Sequence, residues 1–138
     1  MANTPRITEA VANAALTAAF GGTICQSAII RIYNGTQPVA GGGSDAGSTA
    51  LAELTMDAAT PWGAGASGGV LTAGAIADET DALATLAAQW FRLETAGATP
   101  LIDGSVGTTG CDMNLNSTAI TEHGTVSITA FTITQPLL

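Results

Sequence analysis

The C-terminal half of the chain alternates apolar and polar residues in short runs, which are separated by turns that contain glycine. Because successive side chains on a strand point to opposite faces of a sheet, each run predicts a strand with one buried face. Four such strands are predicted at residues 85–94, 101–107, 112–116 and 125–134. Three more are predicted in the first half, at residues 27–33, 51–56 and 69–77.

The N-terminal segment has the spacing of an amphipathic helix instead. The Thr4 hydroxyl can cap such a helix and Pro5 fits its first position, while Gly21-Gly22 ends it. Its apolar face would consist of Ile7, Val11, Ala14, Ala15 and Ala18, and Leu16 and Phe20 would widen this apolar stripe. Since a single short helix is marginal alone, it either packs on its own domain or reaches a neighbouring subunit as an arm.

Together these elements predict a single all-β domain over residues 1–138, with residues 1–22 as a short N-terminal helix or arm. Turn signals recur about every ten residues and no helices alternate with the strands, which favours an antiparallel β-sandwich of jelly-roll type. A chain of 138 residues buries roughly 70% of its unfolded surface, so its core is large enough to need no covalent staple.

Charge restricts the possible partners. Only 10% of the residues are charged and the net charge is −8, with no lysine and only Arg6, Arg31 and Arg92 as basic residues. Such a chain cannot neutralise phosphates, so we expect no nucleic-acid partner and no binding to an anionic membrane. No stretch reaches the ~20 apolar residues of a membrane span. The composition is typical of a protein that lies against other protein.

Reactive side chains are few and do not converge in the sequence. The single histidine, His123, lies in a predicted hairpin turn, with no sign of a nucleophile or an orienting group beside it. The carboxylates are scattered, or adjacent in one acidic turn, which is not the paired arrangement that glycoside hydrolysis needs. We therefore expect no enzyme activity and no cofactor.

Two features resemble structural or metal motifs but have simpler interpretations. Cys25 and Cys111 either form a disulfide worth about 4 kcal/mol or remain two buried free thiols. Two cysteines give no framework spacing, so free thiols are favoured. Residues 112–116 begin like a calcium loop, but the glycine and glutamate positions hold Ser117 and His123. A strand with its polar residues towards solvent is favoured there, and no metal is expected.

Six segments carry a resemblance to known proteins: residues 30–38 (IRIYNGTQP), 51–56 (LAELTM), 90–93 (WFRL), 103–107 (DGSVG), 112–118 (DMNLNST) and 126–134 (VSITAFTIT). They resemble a group of small virion proteins from tailed bacteriophages that look like capsid decoration (cement) proteins. This resemblance implies a structural protein on the capsid surface, without an active site. Its implied partners are the major capsid protein and further copies of itself, as a dimer or trimer.

Partner contacts are expected on the arm and on two loops, at Ile7, Val11, Thr36, Gln37, Pro38, Pro61 and Trp62. Trp62 either anchors in a partner pocket or covers one end of its own sandwich, whereas Trp90 lies mid-strand and is expected in the core. Two other functions stay open. One is a different virion part, such as a tail or head-fibre component. The other is a glycan-binding attachment β-sandwich, which needs exposed aromatic side chains on a groove.

Overall fold

The computed structural model describes residues 3–136, and these residues form one helix and nine strands. The elements are α1 (Glu9–Phe20), β1 (Ile29–Asn34), β2 (Thr49–Thr55), β3 (Val70–Thr72), β4 (Leu86–Ala87), β5 (Trp90–Glu94), β6 (Pro100–Gly107), β7 (Met113–Leu115), β8 (Ala119–Ile120) and β9 (Ile128–Thr134). Seven strands form one sheet in the order β2-β1-β5-β6-β7-β9-β3, and β4 pairs with β8. The prediction of a mostly β chain with a short N-terminal helix is confirmed.

The prediction of antiparallel pairing throughout is wrong, because β6 and β7 are parallel neighbours. Parallel neighbours usually need a crossover of a dozen or more residues, and only residues 108–112 connect these two. So short a return is possible because the pairing covers only the end of β6, where Val106 and Gly107 meet β7. Gly107 also permits a close return, since a Cβ there would lie 2.5 Å from the Cys111 Sγ.

The sheet curls until its two edge strands share one core. Leu54 of β2 and Leu71 of β3 lie at opposite ends of the strand order, yet both belong to the same buried cluster. Beyond these strands, Met56 pairs with Ile76 in an isolated antiparallel bridge that joins the two edges. The predicted strand at residues 69–77 is therefore a short β3 followed by this bridge.

Helix α1 begins later than predicted and buries only one side of the predicted apolar stripe. Thr8, not Thr4, is the N-cap, and its hydroxyl accepts a hydrogen bond from the Val11 N–H at 3.3 Å. Ala12 and Leu16 are buried, whereas Val11 is 52% exposed, so the centre of the predicted apolar face points outwards and its Leu16 side points inwards. The reason is size: burying the large Leu16 side chain removes far more apolar area from water than burying alanines does.

Two side chains of α1 hold the helix on its own domain. The Glu9 Oε1 accepts a hydrogen bond from the Gly68 N–H at 3.0 Å, and the Asn13 Oδ1 accepts one from the Gly69 N–H at 2.9 Å. Both glycines lie in the turn that precedes β3. The helix is thus fixed at the edge of the sheet, and residues 3–7 precede it without regular secondary structure.

The predicted strand at residues 85–94 is broken into β4 and β5 by a change of partner. The Ala88 N–H donates to the Thr118 carbonyl near β8, while the next residue, Gln89, donates its N–H to the Tyr33 carbonyl of β1. The alternation of apolar residues continues through this change of partner, which is why the sequence alone predicts a single strand.

Candidate interaction surface

The outer face of the curled sheet carries a row of charges across four strands. Glu53, Arg31, Arg92 and Asp103 lie side by side on β2, β1, β5 and β6. Arg31 and Arg92 are directly opposite each other, a pairing that is unfavourable without compensation. Each is neutralised: the Arg31 Nε lies 3.1 Å from the Glu94 Oε2, and the Arg92 Nε lies 2.7 Å from the Asp103 Oδ1.

The Arg92–Asp103 pair is almost completely buried. The side chain of Arg92 is 5% exposed and that of Asp103 is 1% exposed. The pairing is bidentate, since the Arg92 Nη2 also donates to the Asp103 Oδ2 at 2.8 Å. The hydrogen bonds to Asp103 raise the pKa of Arg92 against the opposing effect of burial. The Arg92 guanidinium therefore remains charged at any physiological pH.

The loop between β1 and β2, residues 35–48, covers this buried pair, and we call it the clasped loop. Its Gly42 N–H donates to the Asp103 Oδ2 at 3.0 Å, and its Gly43 carbonyl accepts from the Arg92 Nη2 at 2.7 Å. Hydrogen bonds to charged groups are among the stronger ones in proteins. The ion pair consequently fixes the middle of the loop onto the sheet.

A second set of bonds fixes the end of the clasped loop. Tyr33 and Trp90 stack on the outer face with their ring centroids 4.3 Å apart. The Tyr33 hydroxyl donates to the Asp45 Oδ2 at 3.1 Å, and the Trp90 Nε1 donates to the Ser48 Oγ at 3.3 Å. Burial, together with the neighbouring Asp45 carboxylate, raises the pKa of Tyr33. Trp90 is buried as expected, but beneath this loop and on the outer face of the sheet.

The tip of the clasped loop presents three of the predicted contact residues to solvent. Thr36 and Gln37 are exposed and Pro38 is half-buried. Beside them, Val39 is fully exposed. Sequence reasoning missed Val39; the available signal was an isolated aliphatic residue within a loop of glycine, serine and alanine. An apolar side chain on an ordered loop is a contact point suited to another protein.

A separate apolar surface lies on the outer face of α1. Val11 is exposed there and Ile7, which precedes the helix, is half-buried. The only charged residue of α1 is Glu9, whose carboxylate bonds to the Gly68 N–H. The rest of this face consists of the exposed residues Ala10, Ala14, Ala15, Ala18 and Ala19, with the exposed polar Thr17 at its margin.

Pro61 and Trp62 are buried within the chain rather than placed at a loop tip. The Trp62 side chain packs between Phe20 and Phe131, with ring centroids at 6.3 and 5.4 Å, and its Nε1 donates to the Phe20 carbonyl at 2.9 Å. Both residues line a cleft of about 220 Å³ beside the end of α1, near Gly21. The predicted contact residues thus lie in three places: the loop tip, the start of α1 and this cleft.

The histidine sits in an exposed turn, as its sequence context suggested. The His123 Nδ1 lies 2.5 Å from the Asp81 Oδ1, and this hydrogen bond raises the pKa of His123. His123 also has a left-handed backbone, with φ of +63°. Within residues 3–136 its ring contacts no hydroxyl or thiol, so the pair is not arranged to activate a nucleophile.

The polar side chains of the calcium-like segment are used in local turns. The Asp112 Oδ2 accepts from both the N–H and the hydroxyl of Ser105, at 2.9 and 2.8 Å. The Asn116 Oδ1 accepts from the Ser127 N–H at 3.1 Å. Across residues 3–136 there is no cluster of three metal-ligating side chains. Both cysteines are free thiols, and burial raises the pKa of Cys25.

Comparisons with protein families, curated proteins and solved structures gave no match to this chain. Among the described residues, no helix has the length and apolar character to cross a membrane.

Proposed function

We propose that the chain is a capsid decoration (cement) protein of a tailed bacteriophage. In this proposal it binds the outer surface of the shell through the major capsid protein and through copies of itself, as a dimer or trimer. The observation that carries the proposal is the clasped loop, which a buried ion pair fixes at Gly42 and Gly43 and which carries the exposed aliphatic Val39 between its two bonded ends.

An ordered loop is suited to binding another protein. Binding normally costs free energy for ordering side chains and loops, and a loop whose two ends are already fixed avoids part of that cost. The Arg92 and Asp103 side chains serve to hold backbone, because their polar atoms contact Gly42 and Gly43 and no reactive group. An interface of ~800 Å² per partner is enough for specific binding, and many symmetry-related copies add avidity.

The surface charge suits a basic protein lattice. The chain has eleven acidic residues against three arginines. Arg31 and Arg92 are already neutralised by acidic neighbours. The excess charge is therefore acidic, and it would complement basic patches on a capsid shell.

We also propose that the fold is a distorted sandwich of jelly-roll type. One half of the curled sheet would be β2-β1-β5-β6 and the other β7-β9-β3, with the shared core between them. The support is that Leu54, Leu71 and Phe131, from both halves, belong to one buried cluster.

The proposal predicts that Val39 is needed for binding to the shell. Capsids produced without this polypeptide are incubated with the purified chain, and the bound fraction is measured by co-sedimentation. Val39→Asp should weaken binding about tenfold or more, because a charge replaces an aliphatic contact. Leu83→Asp is the matched control, since Leu83 is also an exposed aliphatic residue but lies elsewhere, and it should bind normally.

Equal binding of the wild type and Val39→Asp would contradict the proposal. The absence of this polypeptide from purified wild-type virions would also contradict it. The copy number per virion separates the related alternatives. Many copies spread over the shell support cement, and a few copies at one vertex support a tail or head-fibre part. The glycan-binding alternative is less well supported, because Tyr33, Trp62 and Trp90 are all buried.

A further inference from the structure

The sheet contains an internal gap because β7 is much shorter than the strands on either side of it. β7 pairs with the end of β6 at Val106 and Gly107, and with the first part of β9 up to Phe131. On the N-terminal side of β7, a cavity of about 330 Å³ separates β6 from β9. We call this cavity the strand gap. Its walls include Ile102 and Asp103 of β6 and residues 131–134 of β9.

On the β9 side of the strand gap, backbone groups point into the cavity. The Phe131 carbonyl accepts from the Ala73 N–H, and the Gln135 N–H donates to the Gly69 carbonyl, so these odd-numbered positions bond towards β3. Backbone groups of successive strand residues point to alternate sides. Those of the intervening Thr132 and Thr134 therefore face the gap, beyond the last residue that β7 pairs with.

On the β6 side of the strand gap, backbone groups also face the cavity. The Ser105 N–H points away from β5 and donates to the Asp112 Oδ2 at 2.9 Å. By the same alternation the backbone groups of Asp103 face the strand gap, and the pairing of β6 with β7 starts only at Val106. Two facing strand edges without a strand between them can pair with one extended segment on both of its sides.

The two faces of the strand gap differ in character. On the core side lie the rings of Phe91 and Phe131, with centroids 5.1 Å apart. On the other side lies the exposed Asp112, whereas the Asp103 carboxylate is bound to Arg92 beneath the clasped loop. An inserted strand would therefore fit best with apolar side chains inwards and a cation outwards.

Residues 3–8 of this chain (NTPRIT) have that pattern. Pro5 and Ile7 would lie on one side of an extended strand and Arg6 on the other. Arg6 is exposed and forms no ion pair with any of residues 3–136, unlike Arg31 and Arg92. Three residues span about 10 Å as a strand, which matches the unpaired length of β9 at residues 132–134. Pro5 would make one backbone hydrogen bond fewer to the neighbouring strands, because it has no N–H.

The arm leaves the molecule at a margin of the sheet. Glu9 fixes the start of α1 to Gly68, in the turn before the edge strand β3. Residues 3–7 precede that point without regular structure, so they are positioned to extend towards a neighbour. We propose that the strand gap binds the N-terminal arm of a second copy of this chain, as an added strand between β6 and β9. This inference does not depend on the proposed capsid function, since the free chain should also associate in this way.

A cross-linking experiment tests the identity of the inserted segment. Cys111 lines the strand gap, whereas Cys25 is buried. In the full-length chain, Pro5→Cys under mild oxidation should give a disulfide-linked dimer on a non-reducing gel, and adding Cys111→Ser should remove it. Val39→Cys, an equally accessible thiol at the clasped loop, should give no cross-link that depends on Cys111. A cross-link within one chain, or none at all, would overturn the proposal.

A second experiment tests the pairing itself by sedimentation equilibrium. Thr134→Pro removes an N–H that faces the strand gap. Thr72→Pro is the matched control, because its N–H faces away from β9 on the outer edge of β3. Thr134→Pro should raise the dissociation constant of the oligomer several-fold to about tenfold. Arg6→Glu should raise it to a similar extent. Thr72→Pro should leave the dissociation constant unchanged. Equal effects of the two prolines, or a chain that is monomeric throughout, would contradict the proposal.

Discussion

At the scale of single residues, the Arg92–Asp103 pair determines how the outer face of the sheet is used. A buried ion pair contributes little net stability by itself, because both ions lose their hydration. Here the pair has a structural task, since each partner also bonds to the backbone of the clasped loop at Gly42 or Gly43. Removing either partner should therefore affect stability and loop order together.

Arg92→Ala should lower the free energy of unfolding by about 3–5 kcal/mol, because it leaves the Asp103 carboxylate buried without its counter-ion. Glu53→Ala is the control on the same face. Glu53 is 45% exposed and its partner Arg31 keeps Glu94, so the expected loss is at most about 1 kcal/mol. Urea denaturation of the three proteins measures both values, and similar losses for the two variants would contradict this account.

His123 offers a test of local electrostatics, because it is the only histidine and gives a single ring signal by NMR. Its pKa should lie above the ordinary 6.5, and Asp81→Asn should lower it by removing the hydrogen bond and the charge. Since the folded pKa is raised, the associated stability is present below the unfolded pKa and is lost as the pH rises through the folded value. An unchanged pKa in Asp81→Asn would contradict the assignment.

At the scale of elements, the helix gives the clearest comparison between its two faces. Leu16→Ala should cost about 2–5 kcal/mol, since Leu16 is 4% exposed and its removal leaves a cavity. Val11→Ala, on the outer face, should stay within about 0.5 kcal/mol. Thermal or urea unfolding of both variants measures the difference. Equal losses for the two variants would contradict this description of the helix.

Local patterns predicted most strands, and they failed where the outcome depends on a distant partner. Alternation located β1, β2, β6, β7 and β9 because it reflects burial of one face. It could not show that the run at residues 85–94 changes partner at Gln89, nor that β7 pairs parallel to β6. The helix ends at Phe20 as the glycines predicted, but its inner face was set by Leu16, whose partners lie elsewhere in the chain.

The candidate surface was predictable in the same partial way. Composition indicated a loop after Tyr33, and Thr36, Gln37 and Pro38 lie on it as expected. The groups that fix this loop are strand residues, and their role follows from register across three strands. Trp62 was ambiguous in sequence because a tryptophan in a glycine-rich loop fits either an anchor or a core residue.

At the scale of the whole molecule, the acidic surface should make association with a shell sensitive to salt. A charge of −8 facing basic patches increases the rate of encounter, and salt screens that attraction. The association rate should therefore fall as ionic strength rises, while the dissociation rate changes little. Stopped-flow or surface-immobilised shells measure both rates, and an association rate that is independent of salt would contradict the electrostatic part of the proposal.

The hydrogen bonds that fix the clasped loop determine its shape without using its most exposed residues. Its bonds to the sheet use Gly35 at one end and residues 42–48 at the other, which leaves residues 36–41 with few bonds to the sheet. Lengthening a surface segment between fixed ends costs little entropy. Foreign peptides grafted into this stretch would be carried outwards on an unchanged scaffold, so the molecule is suited to multivalent display.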